Sequence, residues 1–219
     1  MRAVRNDESG IYVVERPEPE GDGVLVEVAS CGICGTDLWF LGMGPLPFTL
    51  GHEFAGFVEG TPYAIEPMTR CGVCEACRAG NDNRCIDPSH VNFGFFTDGG
   101  LADRVRVPEY CLTPLPAGLT IDDASLVETM GVAYRGVRMA AVQPGERVCV
   151  VGGGAIGLAA VGVARYKGMD VDLEARHHHQ RALPQPRCAL RAGQSCVPRR
   201  LGALRRLQRP RRTSARPGR

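Results

Sequence analysis

No apolar run in this chain approaches the roughly 18 residues that a membrane-spanning helix needs, and no internal repeat is visible along its 219 residues. The opening segment, MRAVRNDESG, has no apolar stretch after its charges, so a secretory leader is not expected. Acidic residues are missing from the end of the chain. All 24 Asp and Glu lie at or before Glu174, whereas residues 177–219 hold 12 arginines. That tail also lacks aromatic residues, strand alternation and a convincing helical face. These absences argue against a membrane partner and against a disulfide-stapled secreted domain. A reducing, cytoplasmic setting is expected, in which the ten cysteines serve metal ligation rather than disulfides.

What the chain does have is a crowd of thiols in CGVCEACRAGNDNRC: Cys71, Cys74, Cys77 and Cys85. Zinc prefers four tetrahedral ligands, and thiolates two residues apart can wrap one ion without strain. The spacing predicts a closed structural zinc site, whose binding energy stands in for a local hydrophobic core.

A second signal is glycine. Gly152, Gly154 and Gly157 form G-x-G-x-x-G directly after the apolar run Val148–Val151 and before a small-residue helix expected from about Ala155 to Tyr166. The first glycine permits the tight turn, the second lets the backbone approach a pyrophosphate, and the third lets helix and strand pack closely. The phosphates would meet the free N–H groups at the helix start. With a second strand from about Asp170 to Ala175, this reads as the start of a βαβ unit whose first strand is buried and parallel. Counting about 20 residues from the glycines places the strand end near Arg176, with Glu174 close by. An arginine there suits a 2′-phosphate, so NADP is favoured over NAD, with a merely solvated Arg176 as the alternative.

A third cluster joins SCGICGTDLWF (30–40) to LGHEFAG (50–56). Cys34 and His52 could ligate a metal, with Glu53 as a ligand or close neighbour. Asp37 could accept the ring N–H of His52 and fix its tautomer, and the Thr36 hydroxyl would sit beside a metal-bound oxygen. Cys31 and Cys34 also make a CxxC pair, so a redox reading stays open.

Elsewhere, VLVEVASC (24–31) and EFAGFVEG (53–60) read as strands in a β-rich region. Residues 61–92 read as a loop pinned by metal, and GGLADRVRVP (99–108) as a turn and an alternating strand. Residues 115–142 switch to helical period, with Asp122 or Asp123 as cap, Ala124, Leu126 and Val127 starting the apolar face, and Gln143-Pro144-Gly145 as the stop.

Taken together, GICGTD, GHEFAG, CGVCEACRAGNDNRC, DGGLADRV, SLVETMGVAYRGV and VCVVGGGAIGL resemble the zinc-dependent medium-chain alcohol dehydrogenase superfamily, in its order, over about residues 1–180. The details are most similar to the polyol, sugar and threonine dehydrogenase branch. The resemblance implies a two-domain α+β and α/β protein, with a GroES-like β-rich catalytic domain followed by a Rossmann segment. It implies a catalytic zinc at Cys34, His52 and Glu53, with Glu128 as a further acidic group at the zinc or its water. Thr36 would pass the substrate proton, and the four-cysteine lobe would hold a structural zinc. Hydride would move between an alcohol (polyol, sugar or secondary alcohol) and NADP or NAD. The partner is then a small-molecule alcohol or carbonyl, and full-length relatives are homo-oligomers. Two departures stand out. Trp39 occupies the place of a proton-conducting histidine, so the relay uses water or another group, or Trp39 shapes an apolar pocket. The link between GHEFAG and the cysteines is short, which predicts trimmed strands.

Three segments follow: a catalytic domain at 1–142, an incomplete Rossmann segment at 143–183, and an Arg/Pro-rich tail at 184–219 that is not expected to order alone. The abrupt loss of acids and periodicity suggests a shifted reading frame or truncated gene beyond about residue 183. The alternatives to a working dehydrogenase are a catalytically silent zinc-binding fragment and, less favoured, a basic tail that binds nucleic acid.

Overall fold

A computed structural model describes residues 1–87 and 91–175. A hairpin opens the chain, β1 (Arg2–Asp7) and β2 (Gly10–Glu15) pairing antiparallel. It is tied to the body by Val4 N–H donating to the Leu101 carbonyl at 2.8 Å and Asp103 N–H donating to the Arg2 carbonyl at 2.9 Å.

The body is a five-stranded antiparallel sheet. Its strands are β3 (Val24–Gly32), β4 (Glu53–Val58), β5 (Thr61–Ile65), β6 (Arg104–Val107) and β7 (Leu112–Pro114), in the spatial order β6-β3-β4-β5-β7. Strict alternation in Arg-Val-Arg-Val turns Val105 and Val107 inward and Arg104 and Arg106 outward. With Val26, Phe54, Ile65, Phe93 and Cys111 these valines form the core. β4 and β5 are joined through Glu59 and Gly60, both with positive φ (49° and 80°), the conformation a two-residue hairpin turn requires.

Short helices punctuate the loops: α1 (Gly35–Leu41) after β3, and α2 (Glu75–Arg78) within the cysteine lobe. α3 (Leu126–Met139) follows β7, and then β8 (Arg147–Val151), α4 (Ala155–Tyr166) and β9 (Asp170–Glu174) complete a βαβ unit with β8 and β9 parallel. α4 buries Val161, Val163 and Ala164, and α3 packs on α4 and against β4. Among the described residues no helix is long and apolar enough to cross a membrane.

Several expectations need correction. Residues 61–92 are not all loop, because Thr61–Ile65 pairs with β4 and β7. The β-branched and aromatic content of that stretch joins it to the sheet, so the short link leaves strands of six and five residues. The helix expected over 115–142 begins later and ends sooner. Asp122 and Asp123 do not cap it. Asp123 instead binds Thr120 (Oγ1 to Oδ2, 2.7 Å) in a preceding turn, and Ser125 is the first flanking residue. The buried positions of α3 are Thr129 and Ala133, while Leu126 is exposed. The helix stops at Met139 because Ala141 takes φ 54°, two residues before Gln143. β8 is parallel as expected but not buried: Val151 is 78% exposed. Two described strands and two helices leave part of the sheet uncovered. Arg176 and the segment 184–219 lie outside the described residues.

Candidate metal centres and dinucleotide cleft

β3 and β4 pair so that Gly32 faces Glu53 and Cys31 faces Phe54. This register carries the two halves of the third motif to one place. Just past β3, Cys34 precedes α1, and just before β4, His52 precedes Glu53. The sulfur of Cys34, a ring nitrogen of His52 and a carboxylate oxygen of Glu53 all lie within 4.8 Å of one another. His52 and Glu53 are buried. A Cβ at Gly32 would run into the Glu53 carboxylate, so the glycine keeps that space open. Thr36 Oγ1 sits 3.7 Å from Cys34 Sγ.

Asp37 ties the cluster together. It is almost fully buried, accepts the Cys34 backbone N–H at 2.8 Å and the Gly51 N–H at 3.3 Å, and lies 3.4 Å from His52 Nδ1. The ring thus faces the Asp37 carboxylate without the expected hydrogen bond. His52 Nδ1 itself is buried without a hydrogen bond. Burial pushes the Asp37 carboxyl up, but the His52 ring and the two N–H donors outweigh it and hold it below its ordinary value. Burial likewise pushes His52 down, and Asp37, Glu128 and Glu53 outweigh it and raise it. A half-buried sulfur beside a buried nitrogen and a buried carboxylate is a mixed donor set that fits a divalent metal of zinc's class.

Glu128, in the first turn of α3, is not within the three-residue group. It stays close enough to feel His52 and Glu53, and burial raises its carboxyl. Cys31 does not support the redox reading. Its side chain packs against the core cluster, and burial, aided by Asp37 and Glu53, pushes its thiol up to about 12, which suppresses the reactive thiolate.

The other thiols converge as their spacing predicts. Cys71, Cys74, Cys77 and Cys85 present sulfurs within 4.8 Å of one another and form no disulfide. Backbone N–H groups of Cys71 and Cys74 point at the sulfurs of Cys85 (3.4 Å) and Cys71 (3.3 Å), the orientation that stabilises bound thiolates. Backbone N–H groups of Cys77 and Ile86 draw the Cys74 thiol down, while desolvation and its thiol neighbours push Cys77 up. Tyr110 anchors the lobe, its hydroxyl bonding both the N–H and the carbonyl of Arg70 at 3.1 Å.

In the glycine loop, Gly152 has φ 109° and its N–H continues the strand by donating to the Glu174 carbonyl at 2.8 Å. A Cβ at Gly157 would collide with the Gly152 carbonyl, whereas a Cβ at Gly154 would meet nothing within 4 Å. The third glycine therefore serves packing, and the second leaves open space at the helix start. Gly157→Ala is expected to destabilise the protein by about 1–3 kcal/mol through that clash. A denaturant midpoint equal to wild type would contradict this. A cleft of about 640 Å³ is lined by Ile33, Cys34, Thr36 and Glu53 on one side and by Gly152, Gly154, Ile156 and Gly157 on the other.

Sequence reasoning missed Phe95, whose ring centroid lies 4.3 Å from that of His52. No local pattern marks it, because it arrives from a loop far along the chain. Gly32 was equally silent, although a glycine two residues before a candidate ligand was its one available sign.

Residues 20–117 match the alcohol dehydrogenase GroES-like domain. The chain is 35% identical over 173 residues to L-galactonate-5-dehydrogenase of Escherichia coli (strain K12), covering 72% of this chain and 50% of that protein. It is similar to galactitol-1-phosphate dehydrogenase from Escherichia coli, with a TM-score of 0.75, 29% identity, and coverage of 82% of this chain and 57% of that one. It is also similar to an NADP-bound zinc-binding dehydrogenase from Sinorhizobium meliloti 1021, with a TM-score of 0.71, 35% identity, and coverage of 82% and 57%. Residues 20–117 are thus an alcohol dehydrogenase GroES-like domain, the chain is similar to zinc-type alcohol dehydrogenases beyond it, and it spans about half the length of the curated relatives it matches.

Proposed function

We propose that this chain binds zinc and NAD(P) and carries the metal side of an oxidoreductase active site that interconverts an alcohol and its carbonyl. One observation carries the reading: Cys34, Thr36 and Glu53 share a cleft with Gly152, Gly154 and Gly157. Substrate oxygen and nicotinamide would meet there.

The residues divide the work. Cys34, His52 and Glu53 would hold one zinc, with Glu128 near enough to tune it electrostatically. Cys71, Cys74, Cys77 and Cys85 would hold a second, closed and silent. The bound groups would supply Lewis acidity toward the alcohol oxygen and a hydride acceptor for its carbon. Thr36 would take the hydroxyl proton and hand it to water, Asp37 would fix His52, and the glycine loop would seat the pyrophosphate. In balance, oxidising the alcohol to its carbonyl would release one proton to solvent through Thr36, with bound NAD(P) supplying the hydride acceptor. Arg176 is retained as the group that would meet a 2′-phosphate, which favours NADP over NAD. The catalytic domain would span 1–142, the Rossmann segment 143–183 and the tail 184–219.

Elemental analysis of purified protein is expected to give two zincs per chain. His52→Ala should remove one and Cys74→Ser the other, and NADPH should bind with quenching of protein fluorescence. Two zincs without cofactor binding would instead favour a zinc-binding protein without hydride transfer. A single zinc unaffected by His52→Ala would refute the dehydrogenase chemistry.

A further inference from the structure

The chain leading into His52 is held by the N-terminal hairpin. Residues 43–48 read MGPLPF, and Pro45 and Pro47 carry no N–H, so this loop has few donors with which to brace itself. β1 supplies partners. Asn6, almost fully buried, donates its Nδ2 to the Gly44 carbonyl at 2.8 Å, and its Oδ1 accepts the Leu46 N–H at 3.1 Å. Arg5 Nη2 donates to the Leu46 carbonyl at 2.9 Å, while its Nη1 lies 3.6 Å from Asp98 Oδ1. That same oxygen accepts the Thr49 N–H at 2.7 Å, and Asp98 Oδ2 lies 3.8 Å from Arg16 Nη2. Thr49 is buried and stands three residues ahead of His52.

Arg5, Asn6 and Asp98 stand outside the metal group, and the hydrophobic core takes no side chain from residues 1–16 or 42–49. These contacts therefore act on the loop rather than on the sheet. Metal affinity depends on how much ordering the ligands still undergo when the ion arrives. A loop already pinned at Gly44, Leu46 and Thr49 presents His52 at little further entropic cost, whereas a released loop must be ordered on binding. The carbonyls of Thr49, Leu50 and Gly51 are held separately, by the N–H groups of Gly99, Leu101 and Gly100 at 2.8, 3.0 and 2.7 Å. Release is then partial, and the loss of affinity graded.

Resting on the zinc reading of Cys34, His52 and Glu53 above, we propose that Arg5, Asn6 and Asp98 are positioning residues, a polar clamp that holds the segment before His52 and sets the metal affinity of that group without touching the metal. Full-length, zinc-loaded protein is titrated with a zinc chelator, with His52→Ala as the reference that keeps only the four-cysteine zinc. Co²⁺ exchanged into the His52 group reports its ligand geometry through the visible spectrum. Asn6→Ala and Asp98→Ala should each weaken zinc at the His52 group about tenfold and alter the Co²⁺ spectrum, with the four-cysteine zinc unchanged. Asp98→Asn keeps an acceptor for the Thr49 N–H but loses the charge facing Arg5 and Arg16, so it should recover part of the affinity. Asn6→Ala removes two loop bonds and no charge, and it carries the test if an Asp98 variant fails to fold.

Folded variants with wild-type zinc affinity and Co²⁺ spectrum, or with an equal loss at both zincs, would overturn the clamp and leave the dehydrogenase reading intact. Wild-type protein that never takes up a second zinc would bring down both.

Discussion

Cys77→Ser is expected to release one zinc and expose residues 71–85 to protease while the antiparallel sheet persists. Beyond the two Tyr110 hydroxyl bonds to Arg70 at its edge, the lobe has little else to hold it. α2 has four residues and the following 3₁₀ turn, Asp82–Arg84, has three, far too short to persist alone. Its apolar side chains do not form a core, since Val73 is 65% and Ile86 80% exposed. The Arg70–Asp82 pair at 2.7 Å and the Arg70–Tyr110 ring contact at 4.7 Å are surface interactions, worth about 1 kcal/mol at most for the ion pair. Against this, structural zinc sites contribute on the order of 10 kcal/mol to the folding of small domains. The sheet should survive, because its core of Val26, Phe54, Ile65, Val105, Val107 and Cys111 takes no side chain from residues 71–85. Limited proteolysis with mass mapping, alongside zinc analysis, reads both halves. A variant that loses its zinc yet keeps the wild-type cleavage pattern would show that packing holds the lobe.

Asp37→Ala should empty the other metal group and leave the lobe filled. The carboxylate is buried and joins three partners: the Cys34 N–H, the Gly51 N–H and the His52 ring. Its removal leaves two buried donors and a buried imidazole uncompensated, at a cost of about 3 kcal/mol. Asp37→Asn keeps the shape and one acceptor but loses the charge, so it should fall between.

The pH dependence of this effect has a definite sign in metal-free protein. The depressed Asp37 carboxyl contributes stability that is present above its unfolded value and lost as pH falls through its lower folded value. The raised His52 contributes stability that is present below the ordinary imidazole value and lost as pH rises through its higher folded value. The stability gap between wild type and Asp37→Ala should therefore be widest in mildly acid solution and narrow on both sides. Denaturant midpoints with chelator, from about pH 3 to pH 9, measure it. A gap that stayed flat would mean the pair is not ionised.

Much of the site was legible before the structure, and the boundary is instructive. Cys71, Cys74, Cys77 and Cys85 could be read as one site because they lie within fifteen consecutive residues. The glycine loop was legible for the same reason: strand, turn and helix start are contiguous, and the expected helix from Ala155 to Tyr166 is the one found. Helix ends were less legible. Asp123 is a good cap in isolation, but Thr120 claims its carboxylate, and Ala141 breaks the helix through a left-handed backbone that no sequence rule assigns to alanine. β8 was expected to be buried from its apolar residues, but burial depends on neighbours that composition does not reveal.

The sequence by itself determined the donor types and every grouping that chain connectivity enforces: the thiol lobe, the glycine turn and the family's motif order. Tertiary structure alone decided which distant groups meet. Cys34 and His52 are brought together by the β3–β4 register, Phe95 is laid on His52 by a loop from beyond the lobe, and Glu128 stays just outside the three-residue group. The physical reason is the range of the constraint. Covalent geometry fixes what residues a few apart can do, whereas long-range placement is fixed by burying Val26, Phe54 and Val107 in a single core.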